Sequence, residues 1–182
     1  MRKHISKKWL KSLNPCSNGY EYWLKQNKPY LPDFLRQCLK DDHFNWANWL
    51  IVRCLDKKGK QRYGVFAAEQ VLHIFEKQWS NDDRPRKAIE AAKIVIKRDT
   101  KKNRIAAAAA YTAAAAASAS AADAASASAA DAADAAASAA AYTAAYTADY
   151  AAHYAAAADD VLKLKIIEYG ISLINGSSCR NL

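Results

Sequence analysis

Residues 105–158 read IAAAAAYTAAAAASASAADAASASAADAADAAASAAAYTAAYTADYAAHYAAAA. This stretch decides the fold class. Alanine has the highest intrinsic helix propensity, and neither glycine nor proline interrupts the chain between Pro85 and Gly170. A single straight helix over these residues would be roughly 80 Å long at about 1.5 Å per residue, too long for a compact domain. Residues 118–123 and 126–134 are the soft points, because Ser and Asp compete for backbone hydrogen bonds and act as internal N-caps. Two or three alanine-rich helices are therefore expected. Alanine faces allow close axial approach but bury little area, so the tract needs larger neighbours.

Those neighbours lie upstream. Residues 63–79 carry Val65, Phe66, Ala68, Val71, Leu72 and Phe75 at helical spacing. Trp9, Leu10 and Leu13 give a short first helix, stopped by Asn14-Pro15. Tyr20, Trp23 and Leu24 form the face of a second, with Ser17 or Asn18 as cap. Pro32 and Asp33 suit the first turn of a third, which carries Phe34, Leu35, Cys38 and Leu39. A fourth holds Phe44, Trp46, Trp49, Leu50, Val52 and Leu55, and residues 56–60 read as a turn. Asp83-Arg84-Pro85 opens another helix, whose basic end includes Lys97, Arg98, Lys101, Lys102 and Arg104. Val161 to about Ile174 forms the last helix. The expected architecture is all-α: a bundle of stacked helix hairpins with alanine-rich helices against an aromatic-rich N-terminal bundle. Residues 1–104 form a basic, Trp-rich region and residues 105–182 the alanine-rich helices plus a C-terminal helix, integrated in one domain.

Charge follows the same division. Residues 1–104 hold 24 Lys and Arg against 11 Asp and Glu, while residues 105–182 hold 3 against 7. The four cysteines are widely spaced and show no zinc or redox motif, which fits a reducing compartment. Residues 1–11 lack the apolar segment of a secretory signal, and Asp123, Asp131 and Asp134 argue against a membrane span in the tract. A cytoplasmic protein that does not engage the membrane is expected.

Catalysis has little sequence support. His4, His43, His73 and His153 are isolated, and no metalloprotease, nucleophile-elbow or phosphate-loop pattern occurs. No cofactor or metal is expected, and the chain reads as a non-enzyme that binds a macromolecule. Two surfaces stand out. Tyr142, Tyr146 and Tyr150 recur every four residues, a ladder that either packs at an interior edge or presents large amphipathic contacts to a partner. Lys7, Lys8 and Lys11 beside Trp9, with Arg98, Lys101, Lys102 and Arg104, have the composition of a nucleic-acid contact.

Phe66-Ala67-Ala68-Glu69-Gln70-Val71-Leu72-His73-Ile74-Phe75-Glu76 is followed by Asp82-Asp83-Arg84-Pro85-Arg86-Lys87-Ala88-Ile89-Glu90-Ala91-Ala92 and then by the alanine tract. Over about residues 44–158 this order resembles the immunity proteins of bacterial polymorphic-toxin systems. The resemblance implies an inhibitor that neutralises a protein partner, a toxin or a defence-complex component, by direct binding. Arg84 and Arg86 are candidate partner contacts alongside the tyrosines. The alternative is a nucleic-acid-binding protein, or a phage-type anti-defence inhibitor of a complex such as CRISPR-Cas, that acts through the basic half.

Overall fold

The computed structural model describes residues 4–26, 30–123 and 160–176. Among these residues the chain is all-α, with eight helices: α1 Lys7–Ser12, α2 Ser17–Gln26, α3 Leu31–Lys40, α4 Phe44–Cys54, α5 Lys57–Gln78, α6 Arg84–Lys97, α7 Lys101–Asp123 and α8 Asp160–Gly176. The only extended pairing among them is an isolated bridge between His4 and Tyr30. No described helix is long and apolar enough to cross a membrane.

Local chemistry sets the boundaries. Asn14 and Asp42 take the left-handed conformation (φ 50° and 56°) that ends α1 and α3. Ser6 caps α1, accepting the Trp9 N–H at 3.2 Å. Residues 56–60 are not a turn. Asp56 Oδ1 accepts the Gly59 N–H at 2.7 Å, and the helix begins at Lys57. Neither Ser17 nor Asn18 caps α2. Cys16 precedes its first residue, and its Sγ accepts the Gly19 N–H at 3.4 Å. Asp83 stands at the N-cap of α6 without capping it. Its carboxylate pairs with Lys87, and Asp82 accepts the Arg84 N–H instead.

Helices α5, α6 and α7 stack in chain order, α6 on α5 and α7 on α6. Ala88 and Ala114 are fully buried in the α6–α7 seam. Ala88 of α6 meets Ala114 of α7 in this seam, and Ala117, further along α7, belongs to the main core. The expected break at residues 118–123 falls inside α7, which continues to Asp123 with Ser118 buried.

One core runs from Ile5 to Ile174, with Leu35, Leu50, Ile51, Tyr63, Val71 and Phe75 at its centre. Helix α8 returns to lie against α3, α4 and α5. Ile166, Ile167, Ile171 and Ile174 are buried there. At roughly 1.5–3 kcal/mol per buried aliphatic side chain, these four outweigh any surface ion pair. Arg36 also grips Glu168 with two hydrogen bonds of 2.7 and 3.0 Å, but both side chains are nearly half exposed. That pair tunes α8 without holding it.

The Arg36 hydrogen bonds keep the Glu168 carboxyl below its ordinary value near 4.5. A lowered folded-state pKa stabilises above the ordinary value, and that contribution is lost as pH falls through the lowered one. The unfolding midpoint is therefore expected to drop as pH falls below about 4.5, and Glu168→Gln should flatten part of that slope. Thermal melts of both proteins between pH 6 and pH 3 give the comparison; identical acid slopes would remove Glu168 from the account.

Candidate functional site: a tryptophan cleft and a basic corner

Helices α1, α2, α3 and α4 enclose an open cleft of about 250 Å³. Its walls are Leu10, Pro15, Cys16, Gly19, Trp23, Phe34, Asn45, Trp46, Trp49 and Leu50. Helical spacing explains three of them: Trp46, Trp49 and Leu50 fall at i, i+3 and i+4 on α4. Gly19 keeps the opposite wall low, since a Cβ there would stand 3.2 Å from Cys16 Sγ and 3.7 Å from the Trp46 ring.

Neighbouring rings fix the tryptophans. Trp46 lies 4.0 Å from His43 and 5.3 Å from Tyr22, centroid to centroid. Tyr22 donates its phenol to Asp41 at 2.6 Å, and Gln37 donates to the same carboxylate. Burial and the Asp41 hydrogen bond push the Tyr22 pKa up, while the Tyr22 and Gln37 hydrogen bonds lower that of Asp41. Behind the same wall, burial raises the Cys38 thiol to about 12, so it stays protonated. The Arg53 guanidinium lies over the ring of the cleft residue Trp49 at 3.9 Å, and Lys11 of α1 stands over Tyr20 of α2 at 5.6 Å. The Trp23 indole N–H is buried in the cleft wall with no acceptor among the described residues.

A second site forms where α5, α6 and α7 meet. Asp99, in the link between α6 and α7, accepts Lys57 at 3.1 Å and Arg104 at 2.9 Å. Hydrogen bonding from Lys57 contributes most to holding the Asp99 carboxyl below its usual range. This shared carboxylate joins two basic runs that are more than 30 residues apart in sequence. Thr100 caps α7 through the Asn103 N–H at 3.2 Å, and the Asn103 amide donates to the Arg98 carbonyl at 2.6 Å. Lys101, Lys102 and Arg104 are therefore at the start of α7, not at the end of the preceding helix as the sequence suggested. Only Lys97 and Arg98 occupy the α6 C-terminus, where the dipole favours cations.

The structure separates the remaining candidates. Arg84 is bound to Asp82 through three side-chain hydrogen bonds of 2.6 to 3.1 Å. Arg86 grips Glu76 across the α5–α6 turn at 2.6 and 2.7 Å, rather than Glu90 on its own helix. These pairs raise the pKa of both arginines through their hydrogen bonds. Both guanidiniums are committed to the turn that joins the two helices. Arg86→Ala is accordingly expected to lower the unfolding midpoint slightly and to leave partner binding unchanged. A binding loss without any change in melting would reverse that assignment.

Lys7, Lys8 and Lys11 are exposed on α1, a different element from those of the basic corner. Tyr142, Tyr146 and Tyr150 lie outside the described residues. The sequence reading missed the cleft, although the Trp46-Trp49-Leu50 spacing was a usable signal. It also missed Lys57, Lys58 and Lys60 as partners of the 97–104 run. No group of three or more potential metal ligands gathers among the described residues. Comparison with family models, with curated proteins and with solved structures finds no match to this chain.

Proposed function

We propose that this chain is a non-enzymatic inhibitor of immunity type, which acts in the cytoplasm by docking a protein partner on the tryptophan cleft and occluding it. The observation that carries this reading is the cleft itself. Three tryptophans and a stacked arginine converge on one open, largely apolar depression. Trp, Tyr and Arg dominate the few residues that supply most of the energy of protein interfaces. A depression of about 250 Å³ has room for one large apolar side chain. Arg53 on the Trp49 ring and Lys11, next in sequence to the lining residue Leu10, favour an anchor flanked by acidic residues, in keeping with the excess of positive charge in residues 1–104.

The test is affinity capture by tagged protein from its native lysate after nuclease treatment, with wild type and Trp49→Ala as parallel baits. The reading predicts a stoichiometric protein held by the wild type and depleted from the variant. Equal recovery by both baits would remove the cleft from the interface. If Tyr146→Ala/Tyr150→Ala abolished capture while Trp49→Ala did not, the interface would move to the alanine-rich segment.

A further inference from the structure

Two long helices begin at the same corner, and both begin with cations. Lys57, Lys58 and Lys60 occupy the first turn or so of α5; Lys101, Lys102 and Arg104 occupy that of α7. Neither helix has an acidic residue in its first turn. Backbone N–H groups give each N-terminus partial positive charge, so these lysines are in the position where the helix dipole disfavours them. Lys97 and Arg98, at the end of α6, join the cluster.

Eight cations stand here against the carboxylates of Asp56 and Asp99. Asp56 is engaged in capping α5. Asp99 is shared by Lys57 and Arg104. Among the described residues Lys58, Lys60, Lys97, Arg98, Lys101 and Lys102 have no carboxylate partner. All of them but Lys60, which is half-buried, are exposed. Like charges held together against the local dipole oppose folding, so the arrangement gains nothing until an anion arrives.

The geometry points to a double-stranded nucleic-acid backbone as that anion: we propose that the α5–α6–α7 corner is a sequence-independent duplex-binding surface. The site goes beyond the protein-docking role of the cleft and does not depend on it. Residues 56–62 and 97–104 contain no aromatic side chain. The corner therefore has nothing on which to stack unpaired bases, and single strands lose the contact that usually holds them. Lysine and arginine side chains on two helix starts match the regular phosphates of a duplex and carry no reading of base edges. Lys7, Lys8 and Lys11 are on a different helix, α1, and serve as the comparison.

Fluorescence anisotropy with a labelled 20-base-pair DNA duplex of mixed sequence tests this, using the full chain. The wild type should bind at low salt, with log Kobs falling against log salt at a slope near −4 to −5, about 0.9 for each phosphate neutralised. Lys58→Gln/Lys60→Gln/Lys101→Gln/Lys102→Gln should weaken binding at least tenfold at about 50 mM salt and reduce the slope by roughly 3.6. Its fold should survive, because removing cations from helix N-termini relieves an unfavourable contact; circular dichroism checks this. Lys7→Gln/Lys8→Gln/Lys11→Gln should stay within about twofold of wild type. Four results would overturn the proposal. They are no duplex binding by the wild type, an unaffected corner variant, an equal loss in the α1 variant, or tighter binding to a single strand or to polyglutamate than to the duplex. The polyglutamate result would assign the corner to an acidic protein surface instead.

Discussion

Gly170→Val is expected to destabilise the protein by more than about 2 kcal/mol, through overpacking at a site with no room to relax. Gly170 lies in the middle of α8, where a glycine costs roughly 1 kcal/mol of helix stability relative to alanine. The packing explains why it is there. A Cβ at this position would stand 2.8 Å from both Cδ1 and Cγ2 of Ile51 and 2.9 Å from Cε2 of Tyr63. Ile51 and Tyr63 are themselves fully buried, on α4 and α5, and cannot swing into solvent. Any side chain therefore pushes α8 off the two helices it covers, along with the four isoleucines it brings to the core. Gly176→Ala is the matched control, since nothing lies within 4 Å of the position a Cβ would take. Urea unfolding followed by circular dichroism should show a lower midpoint for the first variant and almost no change for the second. A Gly170→Val protein as stable as wild type would mean that α8 does not dock as described.

The second large effect concerns binding. Trp46→Ala and Trp49→Ala should each weaken the complex with the captured protein partner by about 2 kcal/mol or more, roughly thirtyfold, as truncation of a central interface tryptophan does. Both side chains are half-buried members of the cleft wall, and neither belongs to the fully buried core. The helical signal should therefore remain. Arg53→Ala should follow in the same direction with a smaller loss, because Arg53 lies on Trp49 and also donates to its carbonyl at 3.2 Å. Isothermal titration of the purified pair measures all three. A variant that kept wild-type affinity would show that the ring it lacks does not touch the partner.

Much of the fold was legible in the sequence, for reasons particular residues make plain. Asn14 before Pro15 and Asp41-Asp42 mark helix ends because Asn and Asp tolerate the left-handed conformation, and Asn14 and Asp42 adopt it. Pro32 opens α3 because proline lacks the N–H that a first turn does not use. The amphipathic pattern of residues 63–79 placed the inner face of α5 but not its start. Lysines and a glycine at residues 57–60 look like a turn unless Asp56 is seen to accept the Gly59 N–H. The same limit misplaced Lys101, Lys102 and Arg104. Whether a cation ends one helix or begins the next depends on a two- or three-residue link, and composition does not register that link.

The sites were less legible because they depend on contacts between distant segments. Asp99 joins residues 57 and 104, and no local pattern announces it. Arg84 and Arg86 attracted notice as charged residues in a distinctive segment; Arg84 pairs with Asp82 two residues before it, and Arg86 reaches Glu76 on the preceding helix. The cleft needed α1, α2, α3 and α4 to be assembled before Trp23, Trp46 and Trp49 could be seen to face one space. The tyrosine ladder at 142, 146 and 150 lies outside the described residues, and its role is a question for the binding experiments.

The most direct test of the central claim is amide hydrogen exchange on the protein alone and in complex with its captured partner. Slowed exchange is expected to concentrate in α1, α2, α3 and α4, the helices that line the cleft, while α6 exchanges as in the free protein. Protection confined to residues 124–159, or to α6, with none in α2 and α4, would contradict that claim.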